Sequence, residues 1–187
     1  VIVSATALFI NINKQYLAQI IATDAVAAFN FSANVSEYDQ ALVKAIVYSP
    51  KQDLYIVERA RLRLAELNRL LTIVEPSESD QQQFQAALSE GINLTQSALA
   101  IDSNNPLNHA LLGSFYGLIN PSQLEGIKER RDSVFAEARK LDPTNPEYLV
   151  LQAQLSARFG DAAKTREYLT EAISLKGNYT DALFLLS

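Results

Sequence analysis

Apolar residues recur at steps of three and four along most of this chain. Ile56, Ala60, Leu64, Leu67, Leu71 and Val74 form one stripe; Phe84, Ala87, Leu88, Gly91, Leu94 and Ala98 form another. That spacing puts each set on one face of an α-helix. The breaks between stripes carry turn and capping residues. Asn30-Phe-Ser-Ala-Asn34 ends a first helix near Phe31. Ser36, with Asp39 three residues on, resembles a capping box and predicts a short second helix reaching Tyr48. Further helices are predicted over residues 53–74, 80–101, 106–119, 121–141, 146–159 and 161–175, with a ninth opening at about Thr180. Asn105-Pro106, Asn120-Pro121 and Asn145-Pro146 each place a capping Asn before a proline at the first helical position.

The helix ends also repeat. Ala45-Ile-Val-Tyr-Ser-Pro50, Ala98-Leu-Ala-Ile-Asp-Ser103, Ala138-Arg-Lys-Leu-Asp-Pro143 and Ala172-Ile-Ser-Leu-Lys-Gly177 all close a helix on a small and an apolar residue, then turn. From 45 to 98, 98 to 138 and 138 to 172 the steps are 53, 40 and 34 residues. A period of this size means stacked helix pairs.

Leu112-Gly113-Ser-Phe-Tyr116, followed by Phe135 and Pro143, resembles the tetratricopeptide repeat (TPR) family. Small residues at Gly113, Ala60 and Ala153, answered by Ala98, Ala138 and Ala172, stand where paired helices must approach closely. The pattern also departs from the family. His109, Ile56 and Leu149 replace the opening Trp, and Arg131 and Thr165 replace a small residue early in the second helix. Extra stretches lie around residues 75–83 and Pro121. The resemblance implies an all-α, right-handed solenoid of antiparallel helix pairs, with eight or nine helices. Its repeats span about 16–52, 53–105, 106–145 and 146–179, with another beginning at 180–187. It also implies a concave groove lined by the first helix of each pair. The groove positions are Leu54, Val57, Glu58 and Arg61; Leu107, Ala110, Leu111 and Ser114; Glu147, Val150, Leu151 and Gln154. That wall is largely apolar and lacks the Lys, Asn and Arg set with which chaperone-binding members hold a terminal carboxylate. The expected ligand is a helix or an apolar peptide segment, with simple packing or self-association as the alternatives.

Residues 1–15 form an apolar lead-in. Residues 1–12 are too few to cross a bilayer alone, which takes ~20 residues. They read either as the start of the first core helix or as the end of a transmembrane helix anchoring the chain from its N-terminal side. The run over residues 53–71 is similar to repeats at the C-terminal end of bacterial O-antigen ligase and polymerase-like membrane proteins. That similarity implies a tail on the extracytoplasmic side of a bacterial membrane, with its catalytic part elsewhere.

Composition narrows the chemistry. The chain has 187 residues, 48 % hydrophobic and 20 % charged, with net charge −5. An acidic chain without a basic stripe is a poor nucleic-acid binder. No cysteine is present, which excludes disulfides and thiolate chemistry. His109 is the single histidine and has no acid three or four residues away. It reads as packing at the start of the fifth helix. Asp53 with Glu58 and Glu75 with Glu78 read as solvated acids rather than a catalytic pair. Glu58-Arg-Ala-Arg61-Leu-Arg63 and Lys128-Glu-Arg130-Arg131-Asp132 read as solvated helix faces. Four Asn-x-Ser/Thr matches, at Asn30, Asn34, Asn93 and Asn178, carry little weight because Asn93 falls inside a helix. No catalytic residue, metal or cofactor is expected. The function expected is a protein or peptide interaction module.

Overall fold

Local capping chemistry sets the helix boundaries. The computed structural model describes the backbone of residues 2–32 and 34–186 and the side chains of 12–30 and 34–186. Those residues form nine helices and no strand: α1 Ile2–Ser32, α2 Val35–Tyr48, α3 Asp53–Leu70, α4 Glu78–Ile101, α5 Pro106–Tyr116, α6 Ile127–Leu141, α7 Glu147–Arg158, α8 Ala162–Leu175 and α9 Thr180–Leu186. The chain divides into two compact units at Asp102 and Ser103.

In the first unit, α1 pairs with α2 and α3 with α4, and α2 packs on α3. Ala18 of α1 is fully buried with Tyr38, Leu42 and Ala45 of α2 and Tyr55 of α3. In the second unit, α5 pairs with α6 and α7 with α8, while α9 packs on α8. Leu149, Val150 and Ala153 of α7 close on Leu169 and Ala172 of α8 and Ala182 of α9.

The four repeated junctions share one hydrogen bond. The N–H four residues after each junction alanine donates to that alanine's carbonyl: Ser49 to Ala45, Asp102 to Ala98, Asp142 to Ala138 and Lys176 to Ala172, at 2.9 to 3.1 Å. All four alanines are fully buried. A small side chain lets the partner helix approach, and the extra bond satisfies a carbonyl at the helix end.

Four expected boundaries are corrected. The cap of α2 is Asn34, whose side chain accepts from the Glu37 N–H at 3.2 Å, so the helix opens at Val35 rather than Ser36. α3 stops at Leu70, where the chain turns and the Thr72 hydroxyl donates to the Arg69 carbonyl. Val74 is then 94 % exposed and Leu71 is also exposed, so neither belongs to the buried stripe. α4 begins at Glu78, before Asp80, because Ser77 and Asp80 form a full capping box. α6 begins at Ile127, not Pro121. Asn120 caps a tight turn at Ser122 instead, and Gly126, at φ 73°, turns the chain into the helix.

α1 continues without a break through the apolar lead-in. The expectation about side-chain exposure over residues 1–11 lies outside the described residues. No helix among the described residues is long and apolar enough to cross a membrane.

Candidate functional site

A groove opens in the first unit between α1 and α3, with α2 as its floor. Gln19, Ala22, Thr23 and Val26 sit at i, i+3, i+4 and i+7 on α1, so they form one wall. Leu54, Tyr55 and Glu58 of α3 form the other, and Tyr38 and Leu42 of α2 close the bottom. The groove has a volume of about 460 Å³. Leu54 and Val26 are 50 % and 42 % exposed.

The polar groups of this groove are mostly unengaged. Tyr38 stacks on Phe29 with ring centroids 5.1 Å apart, which fixes its ring against the core. Neither the Tyr38 nor the Tyr55 hydroxyl bonds to another described residue, nor do the Gln19 amide and the Thr23 hydroxyl. Glu58 Oε1 accepts from Arg61 Nη1 at 2.7 Å. Burial raises the phenol pKa of Tyr38, and the Glu58 carboxylate adds to this while Arg61 opposes it. Tyr55 is raised by burial alone.

The twelve expected groove residues behave unequally. Leu54 and Glu58 line the cavity, Arg61 is exposed beside it, and Val57 is buried. On α5 only Leu107 is exposed; Ala110, Leu111 and Ser114 are buried, and the Ser114 hydroxyl donates to the Ala110 carbonyl at 3.0 Å. On α7, Glu147 and Gln154 are exposed and Val150 is buried. Leu151 packs against a cluster of Ala110, Phe135, Ala138 and Tyr148. The α1 wall and the two tyrosines stand outside the expected groove set. Residues 19, 22, 23 and 26 fall in the first repeat, about 16–52, for which the resemblance yields no groove positions, although their helical spacing is legible.

The basic run on α3 is not a solvated face. Arg59 and Arg63 have side chains only 17 % exposed and sit between α2 and α4. Arg59 donates to Asp39 at 2.9 Å and to Glu90 at 2.8 Å. Arg63 meets Asp39 at 2.8 Å, Glu90 at 3.0 Å and Glu66 at 2.8 Å. Arg131 is similarly covered and pairs with Asp132. Glu171 is bonded to Arg139, so α8 is tied to α6. The His109 ring nitrogen Nε2 lies 2.8 Å from the Ser103 carbonyl, a local bond at the start of α5. Among the described residues, no group of three or more His, Asp or Glu side chains could hold a metal ion.

No family model matches the chain, and no curated protein matches it. Among solved structures it is similar to TTC0263, a thermophilic TPR protein of Thermus thermophilus. That likeness has a TM-score of 0.66 and 13 % identity, over 93 % of this chain and 95 % of the other. It is also similar, at a TM-score of 0.43 and 13 % identity over 88 % and 89 % of the two chains, to YrrB, described as a TPR protein with an unusual peptide-binding site. Identity this low establishes the fold alone. The fold is therefore all-α and TPR-like, built of paired helices.

Proposed function

We propose that this chain is a non-catalytic interaction module that docks a protein or peptide segment against the first helices of its hairpins. The observation that carries the reading is the groove between α1 and α3, open, about 460 Å³, with exposed Val26 and Leu54 facing it. Apolar surface left uncovered in such a concavity favours a ligand that covers it. Panning a random dodecapeptide library against the whole chain tests this. Recovered peptides should bind the Val26→Glu, Leu54→Glu double variant weakly, and that variant should keep its helical circular dichroism because both side chains are exposed. Recovering no peptide, or equal binding to the double variant, would overturn the proposal. A second copy of the chain seated in the groove would show as dimerisation that the double variant abolishes.

A second reading is the extracytoplasmic tail of an O-antigen ligase or polymerase-like membrane protein. Two features favour it: the run over residues 53–71, and the unbroken α1, which exposes Ile12, Tyr16, Leu17 and Ile20. The chain should then float with neutral phospholipid vesicles, and a chain lacking residues 1–12 should not. If the full chain stays in the dense fraction, this reading is lost.

A further inference from the structure

We infer that the outer face of α1 pairs, antiparallel, with α1 of a second copy of this chain. The inference stands independently of the docking proposal.

α1 is apolar on two sides. Ala18, Ile21, Ala22, Ala25 and Phe29 pack one side onto α2 and Tyr55. Ile12, Tyr16, Ile20, Thr23 and Ala27 step by three and four along the other, and all five are exposed. At about 100° per residue the two faces point about 160° apart. The same steps carried back along the sequence meet Phe9, Ala5 and Ile2. Lys14 and Asp24, the only charged residues of α1, fall off this stripe. A helix apolar on both sides is one that packs on both sides. Length points the same way. α2 has 14 residues against 31 in α1, and every side chain from Ile12 to Leu17 is exposed before Ala18 is buried. The half of α1 that outruns α2 carries the β-branched Ile2, Val3, Thr6, Ile10 and Ile12. Such a stretch is a marginal helix unless something covers it.

The stripe is its own complement. Its large residues Phe9, Ile12 and Tyr16 precede its small ones, Thr23 and Ala27. An antiparallel copy centred near residue 18 sets Phe9 against Ala27, Ile12 against Thr23 and Tyr16 against Ile20, so large side chains meet smaller ones. A parallel copy would set Ala27 on Ala27 and leave a gap. The area suffices. A strip about 46 Å long and about 12 Å wide covers about 550 Å² per copy and about 1,100 Å² in all, where a specific interface needs about 1,000 Å². A bilayer fits less well. One deep enough to cover Ile20 from the N-terminal end of α1 would also take in Asn13, Lys14 and Gln15.

Size-exclusion chromatography with light scattering tests this on the whole chain, which should run at twice its 20.7 kDa. Tyr16→Glu with Ile20→Glu should weaken the dimer about tenfold or more and keep the helical circular dichroism, because both side chains are exposed. Leu17→Glu, also exposed but off the stripe, and Leu54→Glu, on the α3 wall of the groove, should both remain dimeric. The chain has no cysteine, so Ala28→Cys takes a single spin label, off the stripe and about ten residues from the centre of the pair. Two such labels should stand ~30 Å or more apart by pulsed electron paramagnetic resonance. A monomer at tens of micromolar, or a monomer that floats with neutral phospholipid vesicles, would overturn the inference. So would a dimer that survives the Tyr16, Ile20 variant or falls to Leu17→Glu, and so would labels within ~20 Å, the spacing of a parallel pair. Loss of the dimer in Leu54→Glu would overturn it too, by seating the second copy in the groove.

Discussion

Gly113→Ala sets two effects of opposite sign against each other. Inside a helix, replacing glycine by alanine favours folding by about 1 kcal/mol. Here the added Cβ would lie 2.7, 2.8 and 2.9 Å from three ring carbons of Phe135. Carbon pairs rest at about 3.5–4.0 Å, so the overlap is most of an ångström. The ring is fully buried and packed with Ala110, Ala138 and Tyr148, so it has nowhere to swing. Overpacking of this kind costs about 1–3 kcal/mol, which outweighs or cancels the helix gain and leaves a net loss of up to about 2 kcal/mol. Thermal unfolding followed at 222 nm should show a midpoint lowered by up to about 8 °C. Phe135→Leu should rescue it in part: the double variant should be more stable than the sum of the two single losses by about 1 kcal/mol. A raised midpoint for Gly113→Ala, or strict additivity with Phe135→Leu, would refute the close α5–α6 crossing.

Three other outcomes can be checked on the same instruments. Gln152 is buried on α7 with its Oε1 unpaired, and Leu112 holds the corresponding place on α5; Gln152→Leu should stabilise the chain by about 1–2 kcal/mol in urea unfolding. Asp39→Ala strips both Arg59 and Arg63 of a partner and should cost about 1–3 kcal/mol, with faster amide exchange in α2; a neutral result would show the ionic cluster to be ornamental. The phenols of Tyr38, Tyr55 and Tyr148 are raised above their ordinary 10.0, chiefly by burial. Their contribution to stability is full below pH 10 and is lost as pH rises through the higher folded values, so the melting temperature should fall from pH 9 to 11 while phenolate absorbance lags that of free tyrosine.

The pairing of helices was legible because its cause is local. Ala45, Ala98, Ala138 and Ala172 announce it, and the same capping bond forms after each one whatever lies far away in the chain. Asn105 and Asp161 likewise cap the helices they precede, and the Asn145 side chain accepts from the Glu147 N–H that opens α7 behind Pro146, through bonds spanning two or three residues. The second helix is a case where the local signal misleads. Ser36 with Asp39 reads as a capping box, but Asn34 caps α2 and the Asp39 carboxylate is committed to Arg59 and Arg63 on α3.

Arg59 and Arg63 stand four residues apart, the spacing of a solvated helix face. Their acids lie 20 and 31 residues away from Arg59, on α2 and α4, and no local pattern encodes which side chains meet across those packed helices. The groove has the same origin. Leu54 and Glu58 were readable as first-helix positions, but the opposite wall comes from α1 and the floor from α2. Periodicity tells each helix which face is apolar. Only packing decides which of those faces meet, and Val26 and Leu54 are exposed because the helices flanking them leave a gap too wide for either to close.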